Sequence, residues 1–136
     1  MSRFLDDLSS EMRPKAFELL ARCVEAGIAV MVVDTLRTEA EQRANVAKGV
    51  SWTMNSRHLP RRMRGFRSDG PDAEKADAID ICPFSVYDLH GPDKLQWDGS
   101  DPVWKRIGQI GEACGLKWGV IKNGAQIDPG HFELKV

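Results

Sequence analysis

The chain has 136 residues, of which 42% are hydrophobic and 29% charged, and its formal net charge is −1. This length is sufficient to bury a core without disulfide or metal cross-links, and the composition is that of an ordinary globular protein. A net charge near zero excludes a general attraction to nucleic acid or to anionic membranes.

The beginning of the chain has no apolar segment of the kind found in secretory signal peptides. The longest apolar run, residues 28–33, is too short to cross a bilayer. The cysteines Cys23, Cys82 and Cys114 are widely spaced and include no CxxC pair, which favours free thiols in a reducing compartment. We therefore expect a monomer that is made in the cytoplasm without a signal peptide and does not insert stably into membranes.

The first half of the chain predicts two helices and one strand. Apolar residues at helical spacing predict an amphipathic helix over residues 12–26, ended by Gly27. The β-branched run at 28–33 is typical of a buried strand. The segment Thr38-Glu39-Ala40-Glu41 matches a capping box and predicts a second helix from there to about residue 48.

The second half begins with a polar segment, residues 55–75, that contains five arginines and has no apolar period. We interpret it as a long, solvated surface loop. Residues 78–82 predict a strand ended by Pro83, and Asp101 with Pro102 predicts the start of a third helix that runs to Gly115. Residues 116–118 and 131–134 predict two more strands. The order favours one α+β domain over residues 1–136, with helices packed on a small, mostly antiparallel sheet.

Two of the three histidines and one strand aspartate are candidate metal ligands. His58 precedes the basic segment, His131 follows Asp-Pro-Gly, and Asp80 lies inside the apolar Ala-Ile-Asp-Ile. A carboxylate in a buried strand is costly unless it is paired, hydrogen-bonded or bound to a cation. Two imidazoles and a carboxylate are a common ligand set for catalytic zinc. Taken singly, each residue is more often an ordinary hydrogen-bonding residue than a ligand, and their wide spacing is no motif by itself. His90 is expected in a loop.

The surroundings of these residues resemble the D-alanyl-D-alanine peptidase family, VanY-like zinc peptidases that include phage L-alanyl-D-glutamate endopeptidases. The family's Ser-x-His, Ala-x-Asp and Asp-or-Glu-x-x-His segments have counterparts at 56–58, 78–80 and 128–131. Gly-Leu-Lys-Trp-Gly at 115–119 and His-Phe-Glu-Leu at 131–134 resemble the phage enzymes. Arg37-Thr38 with Gln42 resembles the segment after the family's first strand. The resemblance extends over about residues 16–134.

The main departure from the family pattern is the distance between the first histidine and the aspartate. The family places them closer together, so residues 59–77 would be an inserted basic loop. A long insertion can return to the same place at modest cost, because closure entropy grows only with the logarithm of loop length. Asp77 is a rival of Asp80, although Ala78-x-Asp80 fits the family pattern better.

The resemblance implies a Hedgehog/DD-peptidase-like fold and a zinc-dependent endopeptidase that cleaves the L-Ala–D-Glu bond of the peptidoglycan stem peptide. It implies His58, Asp80 and His131 as zinc ligands and Asp128 as the general base. Arg37 would stabilise developing charge or bind a substrate carboxylate. Residues expected to contact the substrate are Ser56, Arg37, Gln42 and Trp118, and Glu133 is expected to support His131 from behind.

The same resemblance implies a biological role, a phage or prophage endolysin for host lysis. Such an enzyme would reach the periplasm through a separate pore, and we expect no separate cell-wall-binding domain. Two alternatives stay open: a D,D-carboxypeptidase or D-Ala-D-Ala dipeptidase of the same fold, and a non-catalytic wall-binding module. Nucleic-acid binding through the arginines is disfavoured, because the rest of the sequence shows no basic face.

Overall fold

The computed structural model describes residues 1–51, 53–84 and 95–135. The helices are α1 (Met12–Glu25), α2 (Glu39–Ala47), α3 (Arg61–Arg64) and α4 (Val103–Ala113), and a 3₁₀-helix covers Leu5–Asp7. The strands are β1 (Val30–Asp34), β2 (Ala78–Pro83), β3 (Leu116–Trp118), β4 (Ile121–Lys122), β5 (Ala125–Gln126) and β6 (His131–Leu134). Within these ranges, no helix has the length and apolar character needed to cross a bilayer. His90 lies outside the described residues.

The main sheet has four strands in the order β1-β2-β6-β3, and every neighbouring pair is antiparallel. This confirms the predicted α+β class with a small antiparallel sheet. The strands at 116–118 and 131–134 lie where the sequence predicts them, whereas β1 begins two residues later than predicted and ends at Asp34. The short β4–β5 hairpin was not predicted.

The two faces of the main sheet differ sharply in chemistry. Ile79 and Ile81 of β2 and Phe132 of β6 join one hydrophobic core with α1 and α4. Side chains alternate between faces along a strand, so the residues between them point the other way. Those residues are Asp80 on β2 and His131 and Glu133 on β6. The burial of the isoleucines therefore determines which face presents the polar groups.

Helix α4 packs closely against the sheet because it has glycine where it meets the rings of Trp118 and Phe132. A Cβ added to Gly108 would lie 2.3 Å from Trp118, and one added to Gly111 would lie 2.2 Å from Phe132. The rings of Trp118 and Phe132 thus occupy the space that larger helix residues would need. This packing holds β3 and β6 in a fixed position behind the polar face.

The predicted capping box is present at the start of α2. The Thr38 hydroxyl accepts a hydrogen bond from the Glu41 amide, and the Glu41 carboxylate accepts one from the Thr38 amide, each at 3.1 Å. These two bonds satisfy amides that the helix itself leaves unpaired. They fix the direction of the chain just after Arg37, whose side chain contacts Asp80 in the candidate site.

The basic segment 59–77 differs from the prediction of a solvated loop. Arg61 and Arg64 are buried, and both donate to Asp77: Arg61 Nη2 lies 2.9 Å from Oδ1 and Arg61 Nε lies 3.0 Å from Oδ2. Ser9 Oγ donates to Asp77 Oδ1 at 2.6 Å. The prediction failed because the residues that complete this cluster, Ser9 and Glu11, come from a distant part of the sequence. The segment packs against the rest of the domain, and Arg61 and Arg64 are unavailable to an external anion.

Asp77→Asn is expected to lower the free energy of unfolding by about 3–5 kcal/mol at neutral pH, because among the described residues it leaves the buried guanidinium of Arg64 without a charge partner and that of Arg61 with only Glu11 and Asp72. Burial would raise the pKa of Asp77, but the hydrogen bonds from Arg61, Ser9 and Arg64 bring it below its ordinary value. The stabilisation is therefore present above the unfolded-state pKa and is lost as pH falls through the lower folded-state value. Urea unfolding from pH 7 to pH 3 measures both effects.

The matched control for this variant is Asp69→Asn, which changes an exposed carboxylate in the same segment. Surface substitutions of this kind usually stay within about 0.5 kcal/mol. Equal stability of Asp77→Asn and Asp69→Asn at pH 7 would show that the buried ion pairs contribute nothing.

Candidate active site

Three residues far apart in sequence meet on the polar face of the sheet. Asp80 Oδ1 lies 3.0 Å from His58 Nε2 and 3.0 Å from His131 Nδ1. One ligand atom from each residue falls within 4.8 Å of the others, so this group could hold a metal ion. Asp80 and His131 are directly opposite each other on β2 and β6. His58 comes from the segment that lies against the loop after β1.

The second nitrogen of each imidazole contacts a fixed acceptor. His58 Nδ1 lies 2.6 Å from the carbonyl oxygen of Thr35, and His131 Nε2 lies 3.0 Å from Glu133 Oε1. If His58 Nδ1 and His131 Nε2 carry the ring protons, the other nitrogen of each ring, which faces Asp80, has a lone pair available for a metal ion. Such outer partners set the tautomer and the orientation of metal-bound histidines. The contact with Glu133 is the one the sequence led us to expect.

Asp80 is held from behind by Arg37. Arg37 Nη2 donates to Asp80 Oδ2 at 3.2 Å, its Nη1 donates to Gln42 Oε1 at 3.0 Å, and its Nε donates to Asp34. With Oδ2 occupied, Oδ1 is the oxygen that remains for a cation. Arg37 lines the cleft, but its three hydrogen bonds direct it toward the protein rather than toward a substrate.

The donor set fits zinc. Two imidazole nitrogens and one carboxylate oxygen leave a fourth tetrahedral position open, as catalytic zinc sites require. Bonds of about 2.0–2.2 Å place tetrahedral ligand atoms roughly 3.3–3.5 Å apart. The two 3.0 Å separations around Asp80 Oδ1 would therefore need to open by a few tenths of an ångström. No thiol belongs to the group, since its members are His58, Asp80 and His131.

The electrostatics of the cluster favour a bound positive charge. Burial would raise the pKa of Asp80, but the charge of His58 and the hydrogen bonds from both imidazoles hold it well below its usual range. Burial opposes charge on His131, yet its hydrogen bonds with Asp80 and Glu133 raise its pKa to about 10. Without a metal, the positive charge of protonated His131 thus partly balances the negative charges of Asp80 and Glu133. A metal would displace that proton, because imidazole coordinates in its neutral form.

Asp128 lies in the turn before β6 and faces the same space. Its backbone is fixed, since its amide donates to Gln126 Oε1 at 3.0 Å and its carbonyl accepts from the His131 amide at 3.2 Å. Among the described parts of the chain, no group donates a hydrogen bond to its carboxylate. Burial, followed by the charge of Asp80, raises the pKa of Asp128. A carboxylate without a partner beside a metal site can accept a proton.

The cluster opens into a cleft of about 610 Å³. A volume of this order suits a ligand the size of a short peptide. A second cavity of about 430 Å³ adjoins it, shares Asp80, Ile127 and Asp128 with it, and is lined by Trp97 and Trp104. The cleft lining also includes four hydrogen-bonding side chains, which are Ser51, Thr53, Asn55 and Ser56.

The structure separates the four residues expected to contact the substrate. Ser56 lines the cleft, and its hydroxyl accepts a hydrogen bond from the His58 amide at 3.2 Å. Gln42 is fully buried, and its amide donates to Ser51 and to the Thr53 carbonyl, so it supports Arg37 from behind instead of facing the cleft. Trp118 packs against α4 on the core side and donates from Nε1 to the Pro129 carbonyl at 2.8 Å. Neither Gln42 nor Trp118 lines the cleft.

The rival ligand Asp77 is turned away from the cluster and pairs with Arg61 and Arg64. Sequence reasoning missed Asp34, which is 3% exposed and anchors Arg37. It also missed Lys117, which lines the cleft. Alternation along the strand at 116–118 could have indicated Lys117, because it must face away from Leu116 and Trp118. Nothing in the local sequence marks Asp34.

No protein-family model matches the sequence, and no match was found among curated proteins. The fold is similar to that of the L-Ala D-Glu endopeptidase ChiX from Serratia marcescens, with a TM-score of 0.65, 20% identity, and coverage of 96% of this chain and 83% of that one. It is also similar to the LD-carboxypeptidase LdcB, with a TM-score of 0.55, 13% identity, and coverage of 93% of this chain and 58% of that one. At these identities, the similarity establishes the shared fold.

Proposed function

We propose that this protein is a zinc-dependent peptidoglycan peptidase that hydrolyses the L-Ala–D-Glu bond of the stem peptide. The observation that carries the proposal is the convergence of His58, Asp80 and His131, with a free carboxylate, Asp128, beside them in one cleft. The fold shared with an L-Ala D-Glu endopeptidase supports the choice of substrate. The lytic phage or prophage role, with release through a pore, depends on the resemblance at residues 115–119 and 131–134.

The side chains divide into those that hold the ion and those that move protons. His58 Nε2, Asp80 Oδ1 and His131 Nδ1 would hold zinc, and Thr35, Glu133 and Arg37 keep these atoms in place. When bound, zinc would lower the pKa of a coordinated water to about 7 and polarise the scissile carbonyl. Asp128 would take a proton from the attacking water and pass it to the leaving amine.

The experiment that tests the proposal is product analysis on purified peptidoglycan with the zinc-loaded protein and with the protein stripped by a chelator. Zinc stoichiometry is measured on the same sample. New amino-terminal D-Glu that depends on zinc supports the L-Ala–D-Glu specificity. Released D-Ala without new D-Glu termini would instead identify a carboxypeptidase or dipeptidase of the same fold. Wall binding without hydrolysis, at full zinc occupancy, would identify a binding module.

A further inference from the structure

Two basic side chains line the cleft next to the metal cluster, and neither binds the metal or transfers a proton in the proposed reaction. They are Arg57 and Lys117. We propose that they form a carboxylate subsite that selects substrates with a free carboxylate beside the scissile bond. This inference rests on the proposed function, since it assigns the specificity of the same cleft.

The strand register places Lys117 in the row next to the metal ligands. Lys117 and Glu133 are directly opposite each other on β3 and β6, and Ala78 faces Glu133 from β2. Asp80 and His131 form the neighbouring row. Residues two apart on a strand point to the same face and lie roughly 6.6–7 Å apart. The two rows are therefore separated by about the length of two residues of an extended peptide.

Arg57 reaches the same row from the other side. Its carbonyl accepts a hydrogen bond from the Asp77 amide at 3.0 Å, which holds the chain alongside the start of β2. Its Nε lies 3.4 Å from Glu133 Oε2, and 29% of its side chain is exposed. Glu133 thus lies between the two basic groups, with Arg57 near one carboxylate oxygen and Lys117 across the strand pair.

Glu133 is insufficient to neutralise both cations. Its other oxygen, Oε1, is 3.0 Å from His131 Nε2. The Lys117 side chain is exposed and makes no hydrogen bond or ion pair within 1–51, 53–84 and 95–135, although its charge lowers the pKa of Glu133 across the strand pair. Its ammonium group is therefore available to an anion that enters the cleft. Arg57 offers the additional N–H groups of a planar guanidinium, which suit a carboxylate.

The charge of the cleft lining also favours binding of an anion. Three acidic side chains (Asp80, Asp128, Glu133) and three basic ones (Arg37, Arg57, Lys117) line it. A divalent cation would make the lining net positive, and a positively charged cleft concentrates anionic ligands. Because Arg37 is bound to Asp34, Asp80 and Gln42, the excess positive charge accessible to a substrate is at Arg57 and Lys117.

Two peptidoglycan carboxylates have the required position. One is the α-carboxylate of D-glutamate, which stays free when the chain continues through the side chain. The other is the carboxy terminus of a peptide trimmed from its end. A carboxamide has nearly the same shape as either group but no charge, so amidation separates recognition of charge from recognition of shape.

The test compares three synthetic stem peptides with the zinc-loaded protein. One has both carboxylates free, one has the glutamate α-carboxyl amidated, and one has the carboxy terminus amidated. We expect one amidation to lower kcat/KM by about 10- to 100-fold, the range for a hydrogen bond to a charged group. The peptide that loses activity identifies the source of the carboxylate, and the products identify the bond.

Two variants connect the preference to the named residues. Lys117→Met and Arg57→Gln should each lower kcat/KM by about 10-fold for the peptide that has both carboxylates free. Neither variant should change kcat/KM for the amidated peptide that the wild type cleaves more slowly. Zinc content is measured in both, because Arg57 contacts Glu133. Lys105→Met, which removes an exposed lysine on α4 outside the cleft, is the control and should change neither rate.

The outcomes are distinguishable from failure of the proposed function. Cleavage of all three peptides at equal rates by the wild type would overturn the subsite and leave the peptidase assignment intact. The subsite would also be overturned if Lys117→Met lowered kcat/KM by the same factor for the charged and the amidated peptides. Hydrolysis of none of the peptides by the zinc-loaded wild type would overturn the proposed function itself.

Discussion

Asp128→Asn is expected to lower kcat by about 10²–10⁴-fold, the contribution of a positioned general base. The substitution keeps the shape of the side chain and removes its ability to accept a proton. The Asp128 carboxylate has no hydrogen-bond donor among the described residues, so its loss leaves no buried partner unsatisfied. Zinc content and thermal stability should therefore match those of the wild type, which is the signature of a group that acts only in the reaction.

The control for this variant is Glu112→Gln, an isosteric change at an exposed position of α4. It should retain wild-type turnover on peptidoglycan fragments, measured under conditions where zinc occupancy is complete. Turnover within threefold of wild type in Asp128→Asn would remove Asp128 from the mechanism and leave the metal cluster without an identified base.

Local patterns in the sequence were sufficient for the residues whose position depends on their immediate neighbours. Ile79, Asp80 and Ile81 alternate between apolar and acidic residues, and burial of the isoleucines directs the carboxylate to the opposite face. The capping box at Thr38 depends only on residues three positions apart. The pairing of Asp80 with His58 and His131, by contrast, required a family resemblance, because no local rule connects them.

Residues whose environment comes from distant segments could not be predicted. Arg61 is buried because Asp77 and Glu11 are both within reach, and nothing near Arg61 in sequence reveals Glu11. Gln42 was expected to contact the substrate, but Arg37, Ser51 and Thr53 occupy its amide group. Trp118 was expected near the peptide, but the glycines of α4 provide space for its ring on the core side.

The candidate site therefore has two layers that arise differently. In the inner layer of metal-binding atoms, strand alternation and register place Asp80 and His131, whereas His58 comes from the segment that lies against the loop after β1. The outer layer consists of Thr35, Arg37, Asp34 and Glu133. Thr35 and Arg37 lie in the loop after β1, whereas Asp34 ends β1 and Glu133 lies on β6. Outer partners commonly change metal affinity by about 10–100-fold, so this layer has a measurable role in function.

His58→Ala and His131→Ala are each expected to lower zinc affinity by more than about 100-fold, because loss of a ligand exceeds loss of an outer partner. Glu133→Gln, which keeps all three metal ligands but weakens the contact behind His131 and the ion pair with Arg57, should lower the affinity by about 10–100-fold. Competition with a chromophoric chelator measures this graded series, and peptidoglycan hydrolysis should fall in the same order at limiting zinc. Excess zinc should restore activity in Glu133→Gln but not in the alanine variants.

Unfolding must be separated from loss of the metal in this series. Removal of His131 leaves Asp80 with one imidazole fewer, so the metal-free forms of wild type and variants are compared by urea unfolding before zinc is added. Asp128→Asn serves as the reference that keeps zinc and loses turnover. Since His58, Asp80 and His131 contribute one atom each, an alanine at either histidine that still binds zinc with wild-type affinity and still hydrolyses the wall would exclude this cluster as the catalytic metal site.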